Sequence, residues 1–145
     1  MMGKRGIAAL EFALVVPVFL IMLAGGADLG FMAWDRGLLA NAVAQGGYFA
    51  ALTGTSVTQS QITSVVTNAT GLAGVTASIT GPTLYCASGT PPTLSAAPSS
   101  GDCTDGTKPG SYVTITAQAP AFSIGQAMAG FGATTLTETA TVRLQ

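Results

Sequence analysis

The sequence predicts an α+β protein: a long N-terminal transmembrane helix that extends into a small head, built from a short amphipathic helix and a roughly three-stranded antiparallel sheet. Three observations predict it. Residues 7–27 are apolar apart from Glu11, which meets the ~20 residues a helix needs to cross hydrocarbon. Ile62, Val65, Val66, Ala69 and Leu72 recur at helical spacing, and three later segments alternate with period two.

The first element is bounded by charge. Lys4 and Arg5 precede the apolar run, and Asp28, Asp35 and Arg36 follow it. The positive-inside rule leaves the first residues in the cytoplasm and sends the rest outward, with Trp34 near the outer interface. Residues 7–34 are the predicted transmembrane helix. Pro17 lies inside it, where the missing N–H and the ring predict a kink or a loosened turn. LLANAVAQGGYFAAL, residues 38–52, keeps a helical pattern, so residues 35–52 read as an extension beyond the membrane. Gly46 and Gly47 weaken that extension. Read as unbroken to Ala51, the helix is about 65 Å long, more than twice the thickness of the hydrocarbon core.

Residues 53–145 make the predicted head. Thr58 and Gln61 have the spacing of a capping box, and Gly71 and Gly74 stop the helix that follows. Val75, Ala77 and Ile79, then Val113, Ile115 and Ala117, then Leu136, Ala140, Val142 and Leu144 put apolar side chains on one face of three strands, with Thr or Ser opposite. Glu138 falls in phase with the apolar face of the last strand. FSIGQAMAGFGA, between the second and third strands, is a Gly/Ala-rich connection with room for a helical turn or a partner contact.

Composition excludes several functions. Of 145 residues, 48% are apolar and 8% charged, and the formal charge is −1. Without a basic cluster beyond Lys4 and Arg5, nucleic-acid binding has no electrostatic footprint. The chain has no histidine, so Ser/His and Cys/His nucleophilic catalysis is excluded and the commonest metal ligand is absent. A head of roughly 100 residues leaves little room for a deep active site. The expectation is a protein without enzymatic activity, metal, cofactor or small-molecule substrate. Cys86 and Cys103 bracket a Gly/Pro/Ser/Thr-rich stretch and read most simply as a disulfide, which implies an oxidising compartment. Asp102 and Asp105 beside Gly106 fall short of a Ca²⁺ loop, which needs six or more oxygens. Asn68 opens a formal glycosylation triplet inside the predicted amphipathic helix and is read as chance. Asp28 and the Asp35/Arg36 pair read as interfacial charges.

Glu11 is the residue that selects among readings of the front end. A secretory signal peptide over residues 1–27, cut before Asp28, would make the chain a Sec-exported soluble or envelope domain. Neither that nor a plain membrane anchor uses a carboxylate within the apolar run, where an ionisable group is costly. The string RGIAALEFALVVP is different: Arg5, Gly6, Glu11, Phe12, Ala13, Leu14, Val15 and Pro17 resemble the amino terminus of the TadE/TadG-like pseudopilins, minor components of the tight-adherence (Flp-type) branch of type IV pilus systems. The strong likeness covers the first third of the chain; beyond it only the architecture and LTETATVRLQ are similar. Family members carry more charge where this chain has Gly46 and Gly47, and the large extra domain of TadG has no counterpart, so TadE-like is the closer label.

The resemblance implies a pilin-like fold and a structural role in the biogenesis of an adhesion pilus. It implies a prepilin leader, residues 1–6, cut between Gly6 and Ile7 by a prepilin peptidase, and an assembly motif of Glu11, Phe12, Ala13, Leu14, Val15 and Pro17. The implied partners are that peptidase, other pilins and pseudopilins, the Tad inner-membrane assembly platform and the lipid bilayer. The implied location is the bacterial inner membrane, single-pass, with the head in the periplasm.

Overall fold

The computed structural model describes the backbone of residues 4–8 and all of residues 9–99, 101–121, 123 and 134–144. The chain divides into two compact units, residues 1–35 with 121–134, and residues 36–120 with 135–145. Helix α1, Lys4–Thr53, supplies residues to both, and it is helical through Pro17 and through Gly46 and Gly47. The last point resolves the ambiguity the two glycines create in the sequence.

In the first unit, α1 is apolar around its whole circumference and its large side chains lie exposed. Ser123 Oγ donates to Asp28 Oδ2 at 3.1 Å, and the Ala121 N–H donates to the Thr134 carbonyl at 2.8 Å. Of the FSIGQAMAGFGA connection, all but Ser123 lies outside the described residues.

The second unit is the head. After α1, a 3-10 turn (Gly54–Ser56) leads to α2 (Gln59–Thr70). The predicted capping box starts α2: the Gln61 N–H donates to Thr58 Oγ1 at 3.4 Å and the Thr58 N–H donates to Gln61 Oε1 at 2.9 Å. Gly71 ends it at φ 63°, a left-handed position that costs glycine little. Four strands follow: β1 (Thr76–Ser88), β2 (Thr93–Ala96), β3 (Gly110–Pro120) and β4 (Thr135–Arg143). They form one antiparallel sheet in the order β2-β1-β3-β4.

Two points differ from the sequence reading. The sheet has four strands rather than three, because β2 lies within the stretch between the cysteines. Its side chains are all exposed, so it has no buried face and leaves no hydrophobic alternation to detect. β1 runs on to Ser88, past the segment that alternates, because the register shifts between Thr80 and Thr83. Gly81 makes that bulge possible at φ 113°, where a Cβ would lie 2.8 Å from the Tyr112 carbonyl oxygen.

The core lies between α1, α2 and one face of the sheet. Leu39, Ala42, Val43 and Ala50 of α1 meet Ile62 and Val66 of α2 and Val113, Ile115, Ala117 and Ala119 of β3. Gly46 and Gly47 let these layers approach: a Cβ on Gly46 would stand 2.9 Å from Val66 Cγ2, and one on Gly47 2.9 Å from Val142 Cγ1. Gln59 caps the edge of β1, donating to the Ala77 carbonyl and accepting from the Ile79 N–H, both at 2.7 Å. Such pairing blunts an open strand edge.

Cys86 of β1 and Cys103 form a disulfide with Cα atoms 5.7 Å apart. Closing a loop of this length is worth ~3 kcal/mol in the chain-entropy model. Cys86→Ser is expected to lower head stability by about that amount without reductant, and to match the parent when both are reduced. Chemical denaturation with and without reductant checks it, and equal stability under oxidising conditions would contradict it.

Candidate functional site

The sequence-predicted motif lies on the exposed, apolar part of α1. Phe12 and Leu14 are 71% and 75% exposed, and Leu10, Val15, Val18 and Phe19 are exposed with them. A helix that is apolar on every side, with its large side chains exposed among the described residues, fits a hydrocarbon environment or packing against other helices. Among the described residues it is the one helix long and apolar enough to cross a membrane. Glu11 is exposed on that surface. Ile7 precedes it by four residues, and on a helix positions i and i+4 share a face. Pro17 sits one and a half turns beyond Glu11; having no N–H, it leaves the Ala13 carbonyl without its helical donor. Gly6 and Ile7 have helical backbone, as do Lys4 and Arg5.

In the head the structure makes a pairing the sequence did not suggest. Arg36 Nε donates to Glu138 Oε1 in an ion pair between α1 and β4, so Arg36 engages Glu138 rather than its neighbour Asp35. This accounts for Glu138 lying in phase with the inward face of β4: opposite Ala117 in the ladder, it is turned toward α1 and is partly buried. With a sequence separation of 102, no local signal could have linked the two. Asp105 binds its own loop, accepting from the Thr107 N–H and hydroxyl at 3.0 and 2.7 Å. Those bonds hold its carboxyl below the usual range. Among the described residues no group of three or more Asp, Glu, Cys or His side chains is placed to hold a metal.

An apolar, exposed helix of this length could span a membrane, and beside a small α+β head it is consistent with a pilin-like membrane protein. Residues 6–47 match the family model described as TadE-like protein. That match is consistent with a TadE-like pseudopilin and suggests a protein associated with the Tad pilus, from a family that is structural and not known as enzymatic. No curated protein and no solved structure matches the chain.

Proposed function

We propose that the chain is a minor pilin in the biogenesis of a Tad/Flp-type pilus, made with the leader 1–6 and cut between Gly6 and Ile7 by a prepilin peptidase. The observation that carries this reading is the coincidence of three features on one helix. The family match begins at Gly6, Glu11 lies four residues beyond the proposed new terminus, and the helix around it is apolar and exposed.

The chemistry follows from cleavage. Removing residues 1–6 takes away Lys4 and Arg5 and creates an ammonium on Ile7, on the same helix face as the Glu11 carboxylate. In hydrocarbon each charge is costly alone and tolerable when paired. An amine and a carboxylate at fixed heights on identical or related helices favour one axial register, whether the pair closes within a chain or between neighbours. Glu11, Phe12, Ala13, Leu14, Val15 and Pro17 then form the packing surface presented to other pilins and to the inner-membrane assembly platform. The disulfide supports an oxidising, periplasmic site for the head, with the helix in the inner membrane.

The residue before the scissile bond tests the reading. Glycine lets a protease approach the backbone closely, and a methyl group there obstructs it. Gly6→Ala is expected to leave the chain in the membrane at its uncut mass. Normal loss of residues 1–6 from this variant, read by intact mass, would contradict the proposed site.

A further inference from the structure

A second place in the head brings together charge, aromatic surface and fixed geometry. The loop after Cys103 is short and internally bonded: the Cys103 N–H donates to the Thr107 carbonyl at 2.8 Å, and the Gly106 N–H to the Cys103 carbonyl at 2.9 Å. Thr107 holds Asp105 as described, and the disulfide ties the loop to β1. The loop thereby brings Asp105 and Lys108 to the end of the sheet where Tyr112 of β3 and Arg143 of β4 are cross-strand partners. Together these four, with Ala87, Thr107 and Gly110, line an open pocket of about 420 Å³, within the range of small-molecule sites. Gly110 is there for space: a Cβ on it would stand 2.7 Å from Arg143 Nε and 2.9 Å from the Tyr112 ring. The Tyr85 ring meets Tyr112 edge-on, with centroids 6.1 Å apart, and holds it in place.

Charge narrows the ligand. Outside the N-terminal segment the chain has three cations, Arg36, Lys108 and Arg143. Arg36 is paired with Glu138, and the other two both line this pocket, facing one carboxylate whose Oδ1 is engaged by Thr107. The pocket is net positive. A guanidinium beside an ammonium suits a ligand carboxylate, while Asp105 Oδ2 is suited to accept from a ligand hydroxyl and repels a second anionic group. The Tyr112 ring offers a flat apolar surface. Beyond it, on the same face of the sheet, run uncharged rows: Thr80, Thr114 and Thr141; Ser78, Thr116 and Thr139; Thr76, Gln118 and Thr137. Thr114 and Thr141 hydroxyls lie 3.0 Å apart. These rows offer hydroxyls and an amide, with no further cation for a polyanion and no apolar groove for a peptide.

We propose that this pocket binds a carboxylated saccharide, a uronic acid unit held by Arg143 and Lys108, with neighbouring sugars lying along the threonine rows. The whole chain in detergent is titrated calorimetrically with aldotriouronic acid (one uronic acid on two neutral sugars), maltotriose, hexaglutamate and inorganic phosphate. The expected result is binding of aldotriouronic acid and binding at least about tenfold weaker for the other three, the scale of one lost charged hydrogen bond. Arg143→Gln and Lys108→Gln are each expected to weaken it by about tenfold, and disulfide reduction to weaken it further by freeing the loop. Lys108 is exposed on the loop, so its variant tests the site even where Arg143→Gln disturbs the fold. No binding of aldotriouronic acid would overturn the proposal. So would equal or tighter binding of phosphate, hexaglutamate or maltotriose, or an unchanged affinity in Lys108→Gln.

Discussion

Glu11→Ala is expected to be processed like the parent and to fail in assembly, remaining in the membrane while pili lack the subunit or do not form. The side chain lies beyond the proposed scissile bond, on an exposed helix face, so its loss leaves the backbone presented to the peptidase unchanged. What it removes is the partner of the Ile7 ammonium. Breaking a desolvated pair by deleting one member costs ~3–5 kcal/mol, because the other charge is left unpaired. At about 1.4 kcal/mol per decade, that lowers the association constant between subunits by about 100-fold or more. Glu11→Gln keeps a hydrogen-bond acceptor without the charge and is expected to fall between the two. Cross-linking in membranes, together with immunoblots of sheared pili, reads both steps separately. Normal incorporation of Glu11→Ala would remove the charge-pairing account while leaving the processing site standing.

The second large effect lies in the head. Gly46→Leu and Gly47→Leu are each expected to abolish its cooperative thermal transition, or to lower its stability by about 3 kcal/mol or more, the upper end for forced overpacking. The added side chain must displace Val66 at one position and Val142 at the other. Both are β-branched and stiff at χ1, and Val66 is fully buried between α2 and the sheet. Gly37 provides the control, since a Cβ there meets nothing within 4 Å. Gly37→Ala keeps the helix and is expected to stabilise by up to about 1 kcal/mol through helix propensity alone. Near-ultraviolet circular dichroism during heating follows all three variants, and parent-like melting of Gly46→Leu would contradict the close approach of α1 to α2.

Those glycines show where sequence reasoning ran out. Intrinsic propensity marks Gly46 and Gly47 as a weak point of a helix, whereas the fold uses their lack of a Cβ to let α1 lie against Val66 and Val142; the contact is tertiary and leaves no local trace. The Arg36–Glu138 pair is similar: an inward-phased acid on β4 signals that something is opposite it, but not what. By contrast α2 was legible to within a residue, since the Thr58/Gln61 box and the Gly71 terminator are local chemistry. The inner faces of β1, β3 and β4 were legible because apolar alternation survives wherever a face is buried. β2 buries nothing, and the bulge at Gly81 interrupts the alternation of β1, so both the fourth strand and the true length of the first were hidden. The Glu11 motif stands out in the sequence alone, because a carboxylate in an apolar run is anomalous whatever the rest of the chain does. The pocket at Lys108 and Arg143 was not legible, as its residues come from a loop and two strand ends that only the sheet register and the disulfide bring together.

The central claim is that this helix acquires its Glu11 partner by cleavage. The most direct test is the N-terminal residue of the mature chain, determined by intact mass and terminal-peptide analysis of membranes from the native host. The account predicts Ile7. A chain retaining Met1 would deny Glu11 the ammonium of Ile7, and one beginning at Asp28 would make the apolar segment a discarded signal peptide; either result would contradict it.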